Sequence, residues 1–385
     1  AGLSAEVRGA GISAGALRLK TLSADAQGTI KQLDIRAALD GRMVRPDGAQ
    51  PLSLKLDGQV ARAPDGTQIR LDHLTGNALG TPVNLRKPAR IALGDGATTI
   101  EGLALGLGQG TATIDAAISP KSATADIALR DLPANLASMA KPGLKLDGAI
   151  DGSARLDARP GAGQGRFDFR FSGLRLRATD GEDAEGTADM PTLSGRLNGT
   201  WDGQRAQVAA RIAGLSKTDA TLNAAVPLAA PADSAVPALV RTAPLSAHLD
   251  WKGPIGPLWT LLPMEQHRLT GNATVVADVS GTADTPQFVA NVSLADGHYE
   301  NLVWGTVLDR MALNAQARSN GYADVTLNAT DGDKGRLDVK TRVALGPPDH
   351  PIDASLDMKN FQLTRRDDVL VQADAAIKAS GPAKS

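Results

Sequence analysis

Two runs of alternating apolar and polar residues lie between Leu269 and Asp309. In the first run, alternate positions from Ala273 to Val279 are apolar, and Thr274 and Asp278 face the other way. In the second run, alternate positions from Phe288 to Leu294 are apolar. Successive strand side chains point to opposite faces, so each run predicts a strand with one apolar face. Residues 281–286 separate the two strands, and Asp296-Gly297 has the composition of a hairpin turn.

The same alternation recurs along the whole chain. It is clear from Leu52 to Val60, from Ala112 to Ile118 and from Phe167 to Phe171, and it returns repeatedly after Met311. The spacing of these runs is typical of a meandering antiparallel sheet. We therefore predict an all-β protein, an elongated and curled antiparallel sheet that forms an open β-groove with a hydrophobic interior.

Two short segments depart from the strand pattern. Leu132, Leu136 and Met139 have helical spacing, with Asp131 as N-cap and Pro133 in the first turn. The second helical pattern runs from Ile255 to Leu262. We predict two short amphipathic helices.

Similar strands follow the two helical segments. Leu146 and Gly148 come after the first segment, and Leu269 and Gly271 stand at the matching positions after the second. This internal repeat divides the chain into a β-groove segment, residues 1–130, and two helix-plus-strands repeats, residues 131–252 and 253–385. The Pro- and Ala-rich stretch 229–243 is expected to be an exposed loop.

Composition favours a trough over a filled sandwich. Aromatic residues make up only 3% of the chain, and alanine, glycine and threonine separate the larger apolar residues. A sandwich core needs bulky interdigitating side chains, whereas small residues can line an open apolar face. The net charge of −1 gives no electrostatic footprint for nucleic acid, and the absence of cysteine excludes disulfides and thiolate metal sites.

The short motifs that could indicate catalysis, phosphate binding or metal binding lack the surrounding structure that each activity needs. Gly11-Ile12-Ser13-Ala14-Gly15 has the spacing of a hydrolase elbow, but the pattern around it is that of a strand. Residues 106–110 and 161–165 are glycine-rich without opening a helix. Residues 331–335 resemble the start of a calcium loop but lack its distal glutamate, so a hairpin turn is expected. His298 is expected at a surface strand end. We predict no enzyme activity, no cofactor and no metal site.

A family resemblance rests on the segment GTADTPQFVANVSLADGHYENLVWGTVLDRMAL. It resembles the C-terminal repeat of the TamB (AsmA-like) family, through Gly281, Thr282, Pro286, Asp296-Gly297 and Tyr299. DLPANLASMAKPGLKLDGAIDGSARL and LSAHLDWKGPIGPLW resemble the helix-plus-strand unit of that family. The resemblance covers most of residues 125–380.

The resemblance implies a β-taco fold in the periplasm of a diderm bacterium. It also implies attachment to the inner membrane by an anchor outside this chain, and partnership with an Omp85-type (TamA-like) outer-membrane barrel. The family has been linked to phospholipid passage between the membranes and to outer-membrane protein assembly and secretion. The expected partners are therefore phospholipid acyl chains and that barrel.

We predict that the alternating apolar residues line a lipid groove. The predicted lining residues are Phe167, Phe169, Phe171, Val275, Ala277, Val279, Phe288, Ala290, Val292, Leu294, Val325, Leu327, Leu337, Val339, Val343 and Leu356. The second helical segment is predicted to cap the groove or lie on a membrane, through Ile255, Leu258, Trp259 and Leu262.

Three function classes remain open at this point: a lipid conduit, a scaffold that adds strands of outer-membrane proteins to its sheet edge, and a secreted adhesin passenger. The regular short coils and Asn/Gly ladders typical of passengers are absent from the sequence.

Overall fold

The computed structural model describes most of the 385-residue chain. The described residues are 2–45, 48–78, 80–94, 96–139, 145–177, 192–214, 219–259, 266–319, 321–345, 351–365 and 369–382.

Strands dominate the described residues, and the paired strands among them run antiparallel. The first twelve strands are β1 (Leu3–Ala14), β2 (Leu17–Thr29), β3 (Gln32–Arg45), β4 (Gly48–Ala63), β5 (Gly66–Ala78), β6 (Thr81–Lys87), β7 (Ala89–Gly94), β8 (Ala97–Leu107), β9 (Gly110–Ile118), β10 (Ala123–Pro133), β11 (Lys145–Arg159) and β12 (Ala162–Arg177). The others are β13 (Leu193–Trp201), β14 (Arg205–Gly214), β15 (Asp219–Ala229), β16 (Ala238–Leu239), β17 (Ser246–Pro254), β18 (His267–Gly281), β19 (Pro286–Asn301), β20 (Thr306–Arg318), β21 (Tyr322–Thr330), β22 (Arg336–Ala344), β23 (Pro351–Arg365) and β24 (Leu370–Pro382). The prediction of an all-β, antiparallel-sheet protein is confirmed.

The sheet is a meander in which consecutive strands pair along most of the chain. The main departure is at β6 and β7, which both pair with β5 and with β8. Pro88 lies between β6 and β7, and proline has no N–H to give to a ladder. One strand position is therefore filled by two short strands with a break at the proline.

The two helices are shorter than predicted, and the first begins later. Asp131 and Pro133, expected to start a helix, instead end β10, and a 3₁₀-helix follows at Ala134–Met139. Leu132 pairs with Ile150 after a bulge, where Asp131 adopts a φ of 48° and its N–H donates to Asp151 Oδ1 at 2.8 Å. Sheet pairing thus overrides the helical spacing of the sequence. The second helix, α1, is a single turn at Gly256–Trp259.

The chain divides into two compact units by its internal contacts. The first unit contains the described parts of residues 1–188, 192–206 and 228–239, and the second contains those of residues 207–227 and 240–385. The predicted three-part division by helix-plus-strands repeats stays a prediction.

The core of the first unit consists of small residues around one tryptophan. Trp201 is buried and donates its indole N–H to the Leu228 carbonyl at 2.5 Å. Its buried neighbours are Ala123, Ala158, Ala206, Ala230 and Ala235. Ala230 and Ala235 belong to the segment expected to be an exposed loop, and that expectation is wrong for both: Ala235 is fully buried and its N–H donates to the Pro120 carbonyl at 2.9 Å. We call residues 230–237 the strap.

The core of the second unit contains larger side chains. Its buried members are Trp251, Ala273, Leu294, Met311, Ala329, Leu337 and Phe361. Most come from β18 to β23, so the sheet of this unit folds over its own apolar face.

Candidate functional site

The strand register of the second unit aligns apolar residues into three rows that cross β17 to β24. The deep row is Gly253, Ala273, Leu294, Leu313, Leu327, Val339, Leu356 and Ile377. The middle row is Trp251, Val275, Val292, Ala315, Val325, Thr341, Ala354 and Ala379. The outer row is Leu249, Ala277, Ala290, Ala317, Ala323, Val343, Ile352 and Gly381. These three rows are the apolar face.

The register brings the lining residues predicted for this unit onto this one face. Ten of the predicted residues lie in the rows: four in the deep row, three in the middle row and three in the outer row. The other three lie just beyond them. Val279 pairs with Phe288 past the outer row, and Leu337 pairs with Met358 past the deep row. The opposite face is polar. Its central row is Lys252, Thr274, Ser293, Asn314, Thr326, Lys340, Ser355 and Lys378.

Burial changes across the apolar face. Ala273 and Leu294 of the deep row are buried, and Phe361, just beyond that row, is only 1% exposed. The middle and outer rows are mostly half-buried, and Phe288 is 38% exposed. The face is therefore filled by the protein at one side and accessible at the other.

Bulges in β19 and β20 bend the sheet over the side of the apolar face that the protein fills. Asp296-Gly297, expected to be a hairpin turn, lies inside β19, which continues to Asn301, so that expectation is wrong. Asp296 has a φ of 51° and Arg310 of β20 has one of 49°, which places a bulge on both neighbouring strands. A Cβ atom on Gly297 would lie only 3.0 Å from Met311 Cβ. The glycine permits the close approach of the two strands where the sheet bends.

The bent ends of β20 and β23 meet in a contact that we call the seam. The Thr306 hydroxyl donates to the Leu363 carbonyl at 2.7 Å, and the Arg365 N–H donates to the Gly305 carbonyl at 3.1 Å. The Thr364 hydroxyl bonds to the Trp304 carbonyl. The seam encloses Phe361 and covers the Trp304 end of the sheet, by which we mean the end with the β19–β20 turn.

A buried carboxylate organises the turn beneath the seam. Asp331 Oδ1 accepts from the N–H groups of Asp333 at 2.9 Å and Gly335 at 3.0 Å, and Oδ2 accepts from the Gln362 N–H at 3.0 Å. Burial acts to raise the Asp331 pKa, but the three hydrogen bonds outweigh it and the pKa is lowered. The turn expected at residues 331–335 is present, and its first aspartate binds backbone groups.

His298 connects two strands on the polar face. Its Nε2 lies 3.0 Å from Glu300 Oε1, and its Nδ1 lies 3.1 Å from Asp309 Oδ1 on β20. The hydrogen bonds to Glu300 and then to Asp309 raise the pKa of His298. The His298 hydrogen bond in turn lowers the pKa of Asp309. The three groups form an ion-paired clasp at the bulge.

The three phenylalanines predicted as lining lie in the first unit, on β12. Phe167 pairs with Ala154 and Gly199, and Phe169 pairs with Gly152 and Leu197. The rings of Phe167 and Phe169 stack with centroids 6.1 Å apart. Phe171 pairs with Ile150 and Gly195, and all three phenylalanines are half-buried. They form one apolar stripe, and each ring has a glycine on at least one neighbouring strand that leaves room for it.

The α1 helix faces inward where the structure describes its side chains. Trp259 is half-buried and donates its indole N–H to the His267 carbonyl at 3.1 Å, and Ile255 packs against the core of the second unit. Leu258 lies in α1, and Leu262 lies outside the described residues. These contacts tie the helix to the start of β18.

A surface concavity of about 710 Å³ lies over β8 to β12 of the first unit. Three of its charged members are already engaged: Arg155 Nε lies 2.7 Å from Asp126 Oδ2, and Asp115 Oδ1 accepts from the Gly102 N–H at 2.6 Å. This concavity is a weaker candidate site than the apolar face, since part of its polar lining is already bound within the protein.

The glycine motifs lie in strands and turns. Gly11 to Ala14 are in β1, residues 106–110 span the end of β8, the turn and the start of β9, and residues 161–165 span a turn residue and the start of β12. In the part of the chain that the structure describes, no group of three His, Cys, Asp or Glu residues is arranged to hold a metal ion. Within the same residues no helix has the length and apolarity needed to cross a bilayer.

Sequence reasoning missed the strap, the Trp201 core and the seam. The tryptophan and Phe361 were visible as large residues among small ones, and that contrast was the available signal. Their partners are distant in sequence, and no periodicity reveals them. Comparison of this chain with protein-family models, curated proteins and solved structures finds no match.

Proposed function

We propose that the apolar face of the second unit binds phospholipid acyl chains, and that the chain is the periplasmic part of a bridge-like envelope protein. In this role it carries phospholipid between the inner and outer membranes and supports outer-membrane biogenesis. The observation that carries the proposal is the continuity of the three apolar rows across eight strands. Their middle and outer members are mostly half-buried and remain accessible.

The dimensions of the rows suit lipid. Seven strand spacings of about 4.8 Å give rows about 34 Å long, which is comparable with the roughly 30 Å hydrocarbon core of a bilayer. Each acyl CH₂ removed from water contributes about 0.8 kcal/mol. A headgroup would stay in water at the open side of the face, where Phe288 is exposed.

The small lining favours movement over tight retention. The outer row contains Ala277, Ala290, Ala317 and Ala323 in succession, so side chains of equal size give it a nearly even surface. An acyl chain on such a surface exchanges one set of dispersion contacts for an equivalent set as it slides. Transport along the row then needs no large conformational change.

Native mass spectrometry of the purified chain tests the proposal. We expect phospholipid to co-purify, and we expect Val292→Asp to reduce the lipid-bound fraction at least about tenfold, because a charge in the middle row costs several kcal/mol to desolvate. Asn291→Asp is the matched control: it adds the same charge one residue away on the exposed, polar face. A lipid-free parent, or equal lipid loading in folded Val292→Asp, would overturn the proposal.

A second candidate function is a scaffold for outer-membrane protein or autotransporter assembly and secretion by strand addition. The edge strand β24 favours it, because β24 pairs only with β23 among the described strands and exposes Val371 and Ile377. Strand addition uses backbone groups at an edge. Val292→Asp should therefore leave cross-linking of client strands to β24 unchanged, whereas it should remove lipid loading.

A further inference from the structure

The β19–β20 turn carries three consecutive apolar side chains that face solvent. Leu302 is 50% exposed, Val303 is 39% exposed and Trp304 is 65% exposed. We call these three residues the tip. Leu370, at the start of β24, is 70% exposed and pairs with Arg365, whose N–H bonds to the Gly305 carbonyl. The tip and Leu370 therefore lie on either side of the same strand end.

The backbone of the tip is largely satisfied from within the protein. The N–H groups of Val303 and Trp304 donate to Asn301 Oδ1 at 2.9 and 3.1 Å. The Leu302 N–H donates to the Gln266 carbonyl and the Gly305 N–H to the Asn301 carbonyl, at 2.9 and 2.8 Å. The Trp304 and Gly305 carbonyls accept from the seam. Asn301 thus caps a turn whose four amide donors are all in use.

The hydrogen bonding of the tip indicates whether a β-strand of a partner or a lipid phase could contact it. A partner that adds a β-strand needs free N–H and C=O groups, and the four amide donors of residues 302–305 are already used. An apolar medium has the opposite requirement, because an unpaired backbone group there costs several kcal/mol. An apolar tip with a satisfied backbone fits a lipid phase.

The charge around the tip is complementary to an anionic membrane surface. Within the described residues, the exposed basic side chains near the Trp304 end of the strands are Arg268, Arg310, Lys334, Arg336, Lys359 and Arg365. They outnumber the exposed acids there, which are Asp296, Asp333 and Asp374. Glu300 and Asp309 are half-buried and paired with His298. Indole side chains favour the boundary between headgroups and acyl chains, and basic residues favour anionic headgroups.

We propose that the Leu302–Trp304 tip inserts into the interface of an anionic lipid bilayer and docks the Trp304 end of the second unit on a membrane. The inserted element is short, so binding is peripheral and reversible. This docking does not depend on the acyl-chain binding of the apolar face.

Flotation with vesicles of phosphatidylglycerol and phosphatidylethanolamine, in which some acyl chains carry bromine, tests the proposal on the 385-residue chain. We expect Trp304→Ser to lower the partition coefficient at least about tenfold, as expected for the loss of one large apolar side chain. Bromine quenches nearby indoles, so the parent should be quenched on binding. Trp304→Phe should keep most of the binding but lose most of this quenching, since Trp201 and Trp251 are buried and Trp259 is half-buried.

Tyr322→Ser is the matched control, because Tyr322 is an exposed aromatic residue at the other end of the strands. It should leave flotation unchanged, and circular dichroism should show that all variants are folded. The proposal is overturned if the parent does not float, if Trp304→Ser floats like the parent, if Tyr322→Ser lowers binding equally, or if Trp304→Phe is quenched as strongly as the parent. Vesicle binding that persists in Val292→Asp would separate docking from the proposed lipid groove.

Discussion

The two units cover their apolar faces in different ways. The first unit has a small-residue core in which alanines and the strap surround Trp201. The second unit bends its own strands at bulges and fills the space with Leu294, Met311, Leu337 and Phe361. A sheet face without bulky residues needs a separate segment to cover it, whereas bulges allow a sheet to cover itself. The following variants test this difference, from the largest expected effect to the smallest.

Phe361→Ala should be the most destabilising of these changes. The ring is 1% exposed at the centre of the seam, so its removal leaves a cavity and should cost about 3–5 kcal/mol. Urea unfolding monitored by tryptophan fluorescence measures the loss. Phe288→Ala, at a position 38% exposed, is the control and should cost less than half as much. Equal losses would show that the seam is not the centre of stability.

Asp331→Asn tests the turn beneath the seam. An asparagine oxygen can still accept from Asp333 and Gly335, but its amide group would face the Gln362 N–H, so we expect a loss of about 1.5–3 kcal/mol at neutral pH.

The pH dependence of the same variant follows from the lowered pKa of Asp331. Because the folded pKa is depressed, the carboxylate contributes stability above its unfolded pKa of about 3.9, and this contribution is lost as pH falls through the folded pKa. Parent and variant should therefore converge in acid, below about pH 4. Thermal unfolding between pH 7 and pH 2 checks this, and a constant difference would contradict the assignment.

Trp201→Phe tests the strap in the first unit. The change removes the indole N–H that bonds to the Leu228 carbonyl and reduces contact with the alanines, which should cost about 1–2 kcal/mol. Limited proteolysis should then cleave the strap near Val236, which is exposed, faster than in the parent. Val236→Ser serves as a control with intact Trp201. Unchanged cleavage in Trp201→Phe would mean that the strap is held by other contacts.

His298→Gln should have the smallest effect, below about 1 kcal/mol, because the clasp is more than one-third exposed and solvent screens it. The pKa of His298 is raised, so its contribution is fully present below the unfolded pKa of about 6.5 and is lost as pH rises through the folded pKa. Melting temperatures should differ at pH 5.5 and coincide at pH 9. If the difference in melting temperature grew as the pH rose, the raised pKa of His298 would be contradicted.

The sequence predicted the strands and their apolar faces because both depend on local alternation. Val275, Val292 and Val325 could be assigned to one face from their spacing, and the register places them in one row. The bulges at Asp296 and Arg310 could not be predicted, because Asp-Gly is equally typical of a hairpin and Asp309-Arg310 has no turn signature. The helix expected from Asp131 failed because pairing of Leu132 with Ile150 competes with helical spacing. The strap was missed because alanine and proline periodicity does not distinguish a buried segment from an exposed one.

The seam also determines the order in which the second unit can form. Ladder pairs in this unit mostly join neighbouring strands, whereas the seam joins Thr306 to Leu363 and Trp304 to Thr364, 57 and 60 residues apart. Closing a long loop costs entropy before its contacts form, so hairpins should assemble first and the seam last. Contacts made after the folding transition state mainly slow unfolding. The seam therefore acts as a kinetic lock: weakening it should speed unfolding while leaving the folding rate nearly unchanged.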